Sequence, residues 1–91
     1  MATIAVMFKI DGDGVVHALQ QAGAKLDTAN GQAVLDFSAV RQIDPAALSA
    51  MEEFARIADG RGVKLALCGV NIEVYKVLKL AKLAPRFSFL S

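Results

Sequence analysis

The sequence is poor in the residues that build most catalytic and metal centres. It has one cysteine, Cys68, and one histidine, His17, which lie far apart in the chain. An intrachain disulfide is therefore excluded, and neither a Cys/His nucleophile nor a zinc site is supported. An excess of one charge is also lacking, because the formal net charge is +1 and the basic residues are spread along the chain. This excludes the basic footprint of nucleic-acid binding. We predict no metal and no cofactor.

Long apolar runs are absent as well. No segment approaches the ~20 apolar residues of a membrane-spanning helix. The first residues lack the basic start, apolar run and cleavage site of a signal peptide, and the lone thiol fits a reducing compartment, so we expect a cytoplasmic protein without membrane insertion. The chain is nevertheless 55% hydrophobic, which predicts a folded protein. Its 91 residues are expected to form one domain, 1–91.

Strand-like and helix-like segments alternate along the chain. Apolar, β-branched runs predict strands, and apolar positions three or four residues apart predict helices. Strands are expected over 3–10, 32–37, 63–70 and 86–90, and helices over 15–26, 45–59 and 72–82. The first strand is almost continuously apolar, which predicts that it is buried. The order β-α-β-α-β-α-β predicts an α/β fold with a mostly parallel, four-stranded sheet.

The start of the second predicted helix, "IDPAAL" over residues 43–48, carries the most informative motif. Asp44 is predicted to cap the helix, because a residue before proline favours extended backbone and its carboxylate can accept from the N–H of Ala46 or Ala47. Pro45 loses no hydrogen bond at the first helical position. The small side chains of Ala46 and Ala47 predict a first turn that is open to a partner. A helix cap and a recognition site are thus both compatible with the motif.

Residues 32–83 resemble a STAS domain, the fold of bacterial anti-sigma factor antagonists. The strand end "VLDFS", the helix start "IDPAAL" and the strand end "LCGV" follow the order of that family. The segments "DFSAV", "ID..AL" and "GVN..VY..LKL" resemble the STAS subunit of phospholipid-trafficking ABC transporters about as well. The resemblance implies a single STAS-like domain that is not an enzyme. Its partner would be a protein, either an anti-sigma factor with serine kinase activity or an ABC ATPase.

The sequence departs from the family pattern at the position that regulates it. In this family a partner kinase phosphorylates a serine at the start of the helix, and the partner then dissociates. That serine falls on Ala46, the serine before it on Pro45 and the following glycine on Ala47, while Asp44 and Leu48 keep the pattern. A phosphate adds about −1.5 to −2 charges, and Ala46 has no hydroxyl to carry it. The resemblance therefore implies a constitutive binder or scaffold in sigma-factor regulation.

The predicted protein-binding surface combines this helix start with the nearest hydroxyl groups. Ser38 and Ser49 are weak phosphorylation candidates, because a loop serine usually bonds the backbone and an exposed helical serine is ordinary. The predicted binding residues are Asp44, Pro45, Ala46, Ala47, Leu48, Ser38 and Ser49.

Three loops are expected beside this surface, because the carboxyl ends of parallel strands meet at one sheet edge. They span residues 11–14, 38–44 and 69–71. The first loop, "DGDG", resembles the start of a calcium-binding loop, but Ala22 stands where that motif needs a glutamate. We predict instead a turn capped by Asp13.

A phosphotransfer protein of the receiver type is a further alternative. Asp11, Asp13 and Asp36 would form its acidic cluster, although no lysine follows the strand "VKLALCGV". Cys68 ends that strand and is predicted to pack rather than react.

The outward side of the third helix is basic. Lys76, Lys79 and Lys82 form a stripe that is either a solvated face or a contact for an acidic partner or lipid headgroups. Exposed sheet edges would allow a homodimer, and the sequence does not decide this.

Overall fold

The computed structural model describes residues 6–26 and 31–90. Residues 3–5 of the first predicted strand and residues 27–30, between the first predicted helix and the second predicted strand, lie outside this range. The elements follow the predicted order. They are β1 (Val6–Lys9), α1 (Val15–Ala24), β2 (Gln32–Asp36), α2 (Pro45–Gly60), β3 (Lys64–Cys68), α3 (Ile72–Leu80), a 3₁₀ turn (Ala84–Arg86) and β4 (Ser88–Leu90).

The four strands form one parallel sheet with the spatial order β1-β2-β3-β4. In its register, Leu35 of β2 lies between Phe8 of β1 and Leu67 of β3. Since each right-handed crossover steps to the next strand in the same direction, all three helices lie on one face of the sheet. A receiver domain has a doubly wound sheet, in which the strand order reverses and helices cover both faces. The predicted parallel fold is confirmed, and the receiver alternative is wrong.

The core fills the space between this face and the helices. Leu35 and Leu67 of the sheet join Leu19, Met51 and Leu78 of the three helices in one apolar cluster, and all five side chains are at most 2% exposed. Alternate strand residues point to the other face. The prediction that the first strand is buried is wrong, because β1 is an edge strand whose outer face is uncovered in the described structure.

Helices α2 and α3 end with the same backbone geometry. Each closes with a residue of positive φ, Gly62 at 70° after α2 and Lys82 at 61° after α3. The following residue then donates its N–H back to the helix, Val63 to the Ala58 carbonyl and Leu83 to the Leu78 carbonyl. This is a Schellman closure. It ends α3 two residues before its predicted end, and the 3₁₀ turn that follows delays β4 to Ser88.

No helix of the described residues is both long enough and apolar enough to cross a bilayer.

Candidate docking site at the start of helix α2

The start of α2 is built by the predicted cap. Asp44 has extended backbone, with φ −85° and ψ 170°, and its Oδ1 accepts from the Ala47 N–H at 2.7 Å. Its carbonyl accepts from the Leu48 N–H at 2.9 Å, and Pro45 occupies the first turn. Removing such a cap costs about 0.5–2 kcal/mol. The carboxylate is therefore explained by the helix it starts, and any binding role would come in addition.

The two alanines of this turn differ in solvent exposure. Ala46 is exposed, as are Asp44 and Pro45, whereas Ala47 is only 3% exposed and belongs to the core. The prediction that both alanines leave the turn open is therefore wrong for Ala47. The reason is helical geometry, because Ala47 lies one turn before Met51 on the face that packs against the sheet.

An apolar groove adjoins the exposed alanine. It lies between α1 and α2 and has a volume of about 570 Å³. Its apolar wall includes Leu19 from α1 and Ala50 and Phe54 from α2, while Ala46 and Ser49 line its margin. Ser49 is exposed, as predicted, and Leu48 is half-buried. Sequence reasoning missed this groove, because its walls come from two separate helices that only the fold brings together.

The loops predicted to gather beside Asp44 do meet there. Loop 11–14 contacts loop 38–44 so closely that a Cβ on Gly12 would lie 2.0 Å from the Ala39 carbonyl oxygen. Loop 69–71 contacts the same segment, since a Cβ on Gly69 would lie 2.8 Å from the Ser38 Cβ. These glycines thus permit the approach that holds three loops at one edge of the sheet.

The side chain of Asn71 fixes the same edge. Its Oδ1 accepts from the Val74 N–H at 2.8 Å and so caps α3, a role that asparagine often has at the start of a helix. Its amide Nδ2 donates to the Arg41 carbonyl at 3.2 Å and, more weakly, to the Val40 carbonyl at 3.4 Å. One residue therefore caps a helix and ties it to the loop that leads to Asp44. This second role depends on the fold and has no local sequence signal.

The "DGDG" turn differs from its prediction. Asp11 makes the side-chain bond, because its Oδ1 accepts from the Asp13 N–H at 3.0 Å. The residue before α1 is Gly14, which has no side-chain cap, so the predicted cap by Asp13 is wrong. The turn borders a second groove of about 360 Å³, whose other wall includes Gln42 and Asp44.

Asp36 and Ser38 form a small polar unit at the end of β2. The Ser38 N–H donates to Asp36 Oδ1 at 2.9 Å. This bond, assisted by the Ser38 hydroxyl and the charge of Lys9, lowers the pKa of Asp36 below its ordinary value. In the register of the sheet, Cys68 lies beside Asp36. Burial, and then the charge of Asp36, raise the pKa of the Cys68 thiol, which disfavours the reactive thiolate.

The acidic side chains proposed for a receiver-type site bond their own loops instead. Asp11 accepts from Asp13 and Asp36 accepts from Ser38, as described above. Within 6–26 and 31–90, no three His, Cys, Asp or Glu side chains converge in a way that would hold a metal ion. The arrangement at this edge combines an exposed helix start, a hydrogen-bonded loop platform and an apolar groove. Such a surface is suited to docking.

Comparison with solved structures shows the same fold in several proteins. A sulfate transporter family protein from Wolinella succinogenes matches with a TM-score of 0.77 and 24% identity, over 93% of this chain and 75% of that one. The protein TM1081 from Thermotoga maritima matches with a TM-score of 0.73 and 18% identity, over 100% of this chain and 75% of that one. The anti-sigma factor antagonist SpoIIAA in its unphosphorylated form matches with a TM-score of 0.70 and 19% identity, over 100% of this chain and 84% of that one.

The family comparison agrees with these structures. No curated protein matches the chain. The sequence profile of the STAS domain, by contrast, matches residues 6–90, which include every helix and strand described above. The chain therefore belongs to the STAS domain family.

Proposed function

We propose that this STAS domain binds a protein partner constitutively, through the start of α2 and the groove between α1 and α2. It acts as a scaffold or antagonist without a phosphorylation switch. One observation carries the proposal: Ala46 is exposed at the first turn of α2 and lines the groove, yet it has no hydroxyl. The resemblance to anti-sigma factor antagonists implies that the regulatory serine of that family falls at this position. A partner docked here would stay bound where a switched family member is released.

The partner that this proposal favours is an ATP-binding anti-sigma factor with serine kinase activity. Support comes from the resemblance at the helix start and from the fold shared with SpoIIAA. An ABC ATPase is the second candidate, supported by the resemblance to transporter STAS subunits and by the fold shared with a sulfate transporter family protein. Either partner uses ATP, and with either one we propose a cytoplasmic domain. In both cases the domain itself makes and breaks no bond.

The test is a capture experiment that adds one charge at the proposed site. Wild-type protein, Ala46→Asp and Gly60→Asp serve as baits in lysate of the native source, and bound proteins are identified by mass spectrometry. Position 60 is a matched control, because Gly60 is exposed at the other end of α2 with open space around it. We expect an ATPase of one of the two classes to bind the wild type and Gly60→Asp and to be lost from Ala46→Asp. An acidic residue in the first turn favours the helix dipole, so unfolding would not explain the loss.

The absence of a switch is tested in the same lysate. Wild-type protein is incubated with ATP, and its peptides are mapped for phosphate. We expect none on residues 44–49. Stoichiometric phosphate on Ser49 would contradict a constitutive binder. Equal capture by all three baits would show that the partner docks elsewhere.

A further inference from the structure

The outward face of α3 exposes large apolar side chains that the core does not use. Ile72 is 71% exposed and Leu80 is 85% exposed, whereas Val74 and Leu78, on the other side of the helix, are fully buried. Ile72, Lys76 and Leu80 are spaced four residues apart and form one row about 12 Å long. Because the inward side chains already satisfy the core, this row is free for a separate contact.

The same face is basic. Lys76 and Lys79 lie on it, whereas Lys82 and Arg86, beyond the end of the helix, line a groove together with Glu52 and Glu53 of α2. Within 6–26 and 31–90, none of these four cations forms an ion pair with an acidic side chain. Arg56 on α2 differs, since it pairs with Glu53. The basic charge of α3 is therefore available to a partner.

An exposed tyrosine extends the surface toward β4. Tyr75 is 41% exposed, and its ring packs edge to face against Phe89, with ring centroids 5.1 Å apart. Phe89 itself is 37% exposed. A tyrosine held in this way loses little conformational freedom on binding, which is why such residues often serve as anchors.

We propose that the outward face of α3 binds an acidic, amphipathic helix of a protein partner. The row of Ile72, Lys76 and Leu80 alternates apolar, basic and apolar contacts over two turns. A facing helix with leucine-like and glutamate side chains at the same spacing complements it in both shape and charge. This surface is distinct from the start of α2, and the inference does not depend on the function proposed above.

A bilayer fits the same face less well. Membrane-surface helices bury a broad apolar face, and a stable anchor needs more than one weak signal. Here two projecting aliphatic side chains stand on either side of a lysine, and Glu73 adds an acidic group in the first turn. Anionic headgroups would repel that carboxylate, whereas a protein helix can place its own charges around it.

The test uses a synthetic 18-residue helix that repeats leucine and glutamate on one face. The probe is titrated at low salt into the isotope-labelled full chain, and amide shifts are followed by NMR. We expect shifts concentrated on residues 72–82. Lys79→Glu should weaken binding about three- to fivefold, and Leu80→Ser about tenfold. Both side chains are exposed, so neither substitution should unfold the protein. Lys64→Glu is the matched control, because Lys64 is exposed on β3 and this substitution changes the net charge by the same amount as Lys79→Glu.

Several outcomes would overturn the proposal. If Lys64→Glu weakened peptide binding equally, binding would depend on the net charge of the protein and not on the face of α3. Amide shifts concentrated in the groove between α1 and α2 would show that the peptide binds there instead. Sedimentation with phosphatidylglycerol vesicles but no response to the peptide would assign the face to a bilayer. A dimer that Leu80→Ser dissociates would assign it to a second copy. Ala46→Asp should leave peptide binding unchanged, which separates this test from that of the proposed function.

Discussion

At the scale of single residues, Asp36 and Ser38 give the clearest pH-dependent prediction. Folding lowers the pKa of Asp36 below 3.8, chiefly through the N–H and then the hydroxyl of Ser38. A lowered folded-state pKa contributes stability that is present above the unfolded-state value and is lost as pH falls through the folded-state value. Ser38→Ala removes only the hydroxyl. We therefore expect the pKa of Asp36 to rise in this variant, as measured by an NMR titration of the carboxyl carbon.

The stability of the variant should follow the same sign. The loss of stability between pH 5 and the acid side of 3.8 should be smaller in Ser38→Ala than in the wild type, because less of the Asp36 contribution remains to be lost. Ser49→Ala is the control, since Ser49 lies on α2 and does not contribute to the shift of Asp36. An unchanged titration in Ser38→Ala would mean that the hydroxyl makes no bond to Asp36 in solution.

Single residues also show where sequence reasoning succeeded and where it failed. The caps by Asp44 and Asn71 were predictable, because each bond closes over three residues and depends on local backbone alone. The burial of Ala47 and the second bond of Asn71 were not predictable, since both depend on neighbours brought close by the fold. In "DGDG", either aspartate could accept a backbone hydrogen bond within the turn. The sequence does not indicate that Asp11 accepts it from the Asp13 N–H.

At the scale of elements, the end of α3 carries a correctable strain. Lys82 has φ 61°, a left-handed conformation that costs a residue with a Cβ about 1 kcal/mol, whereas Gly62 holds the same position after α2 without that cost. We expect Lys82→Gly to raise the free energy of unfolding by about 0.5–1 kcal/mol. Chemical denaturation measured by circular dichroism would show a higher midpoint with an unchanged slope.

The matched control is the reverse change at the end of α2. Gly62 has φ 70° and open space around its Cα, so Gly62→Ala tests the backbone conformation without a packing clash. We expect this variant to lose about 1 kcal/mol. If Lys82→Gly instead destabilised the protein, the lysine side chain would have to stabilise the native turn in a way that outweighs its strain.

These helix ends also explain why boundaries were harder to predict than elements. The alternation of strand and helix patterns gave all seven predicted elements in order. Lys82 belongs to the periodic pattern of α3, however, and lysine does not signal a left-handed turn. The helix therefore ends at Leu80, and the backbone bond from Leu83 to Leu78 closes it.

At the scale of the whole molecule, the helices of the described residues all cover the same face of the sheet. The alternating order of strands and helices predicts a parallel sheet, because parallel strands need long crossovers. It does not give the spatial order of the strands, which decides whether one face or both are covered. An apolar strand such as β1 suggests burial on both faces, yet Met7 is 62% exposed. Apolar content alone did not separate an edge strand from a central one.

Two neighbouring residues of β2 test this one-sided architecture. Leu35 faces the helices and is fully buried, while Val34 is 6% exposed and lies on the opposite face in register with Met7 and Ala66. We expect Leu35→Ala to cost about 2–5 kcal/mol, because it leaves a cavity in the packed core. Val34→Ala should cost only about 1–2 kcal/mol, since it removes two methyl groups from a side chain that lies outside the main apolar cluster.

The comparison would be made by urea denaturation at two protein concentrations. Leu35→Ala should remove a large share of the stability of a domain this small, at either concentration. Because Val34 is only 6% exposed within the single chain, a large cost of Val34→Ala would not by itself require a second copy on this face. A second copy covers a face only by mass action, so its contribution would appear as a cost that grows with protein concentration. A concentration-independent cost at Val34 would instead show that no second copy covers this face.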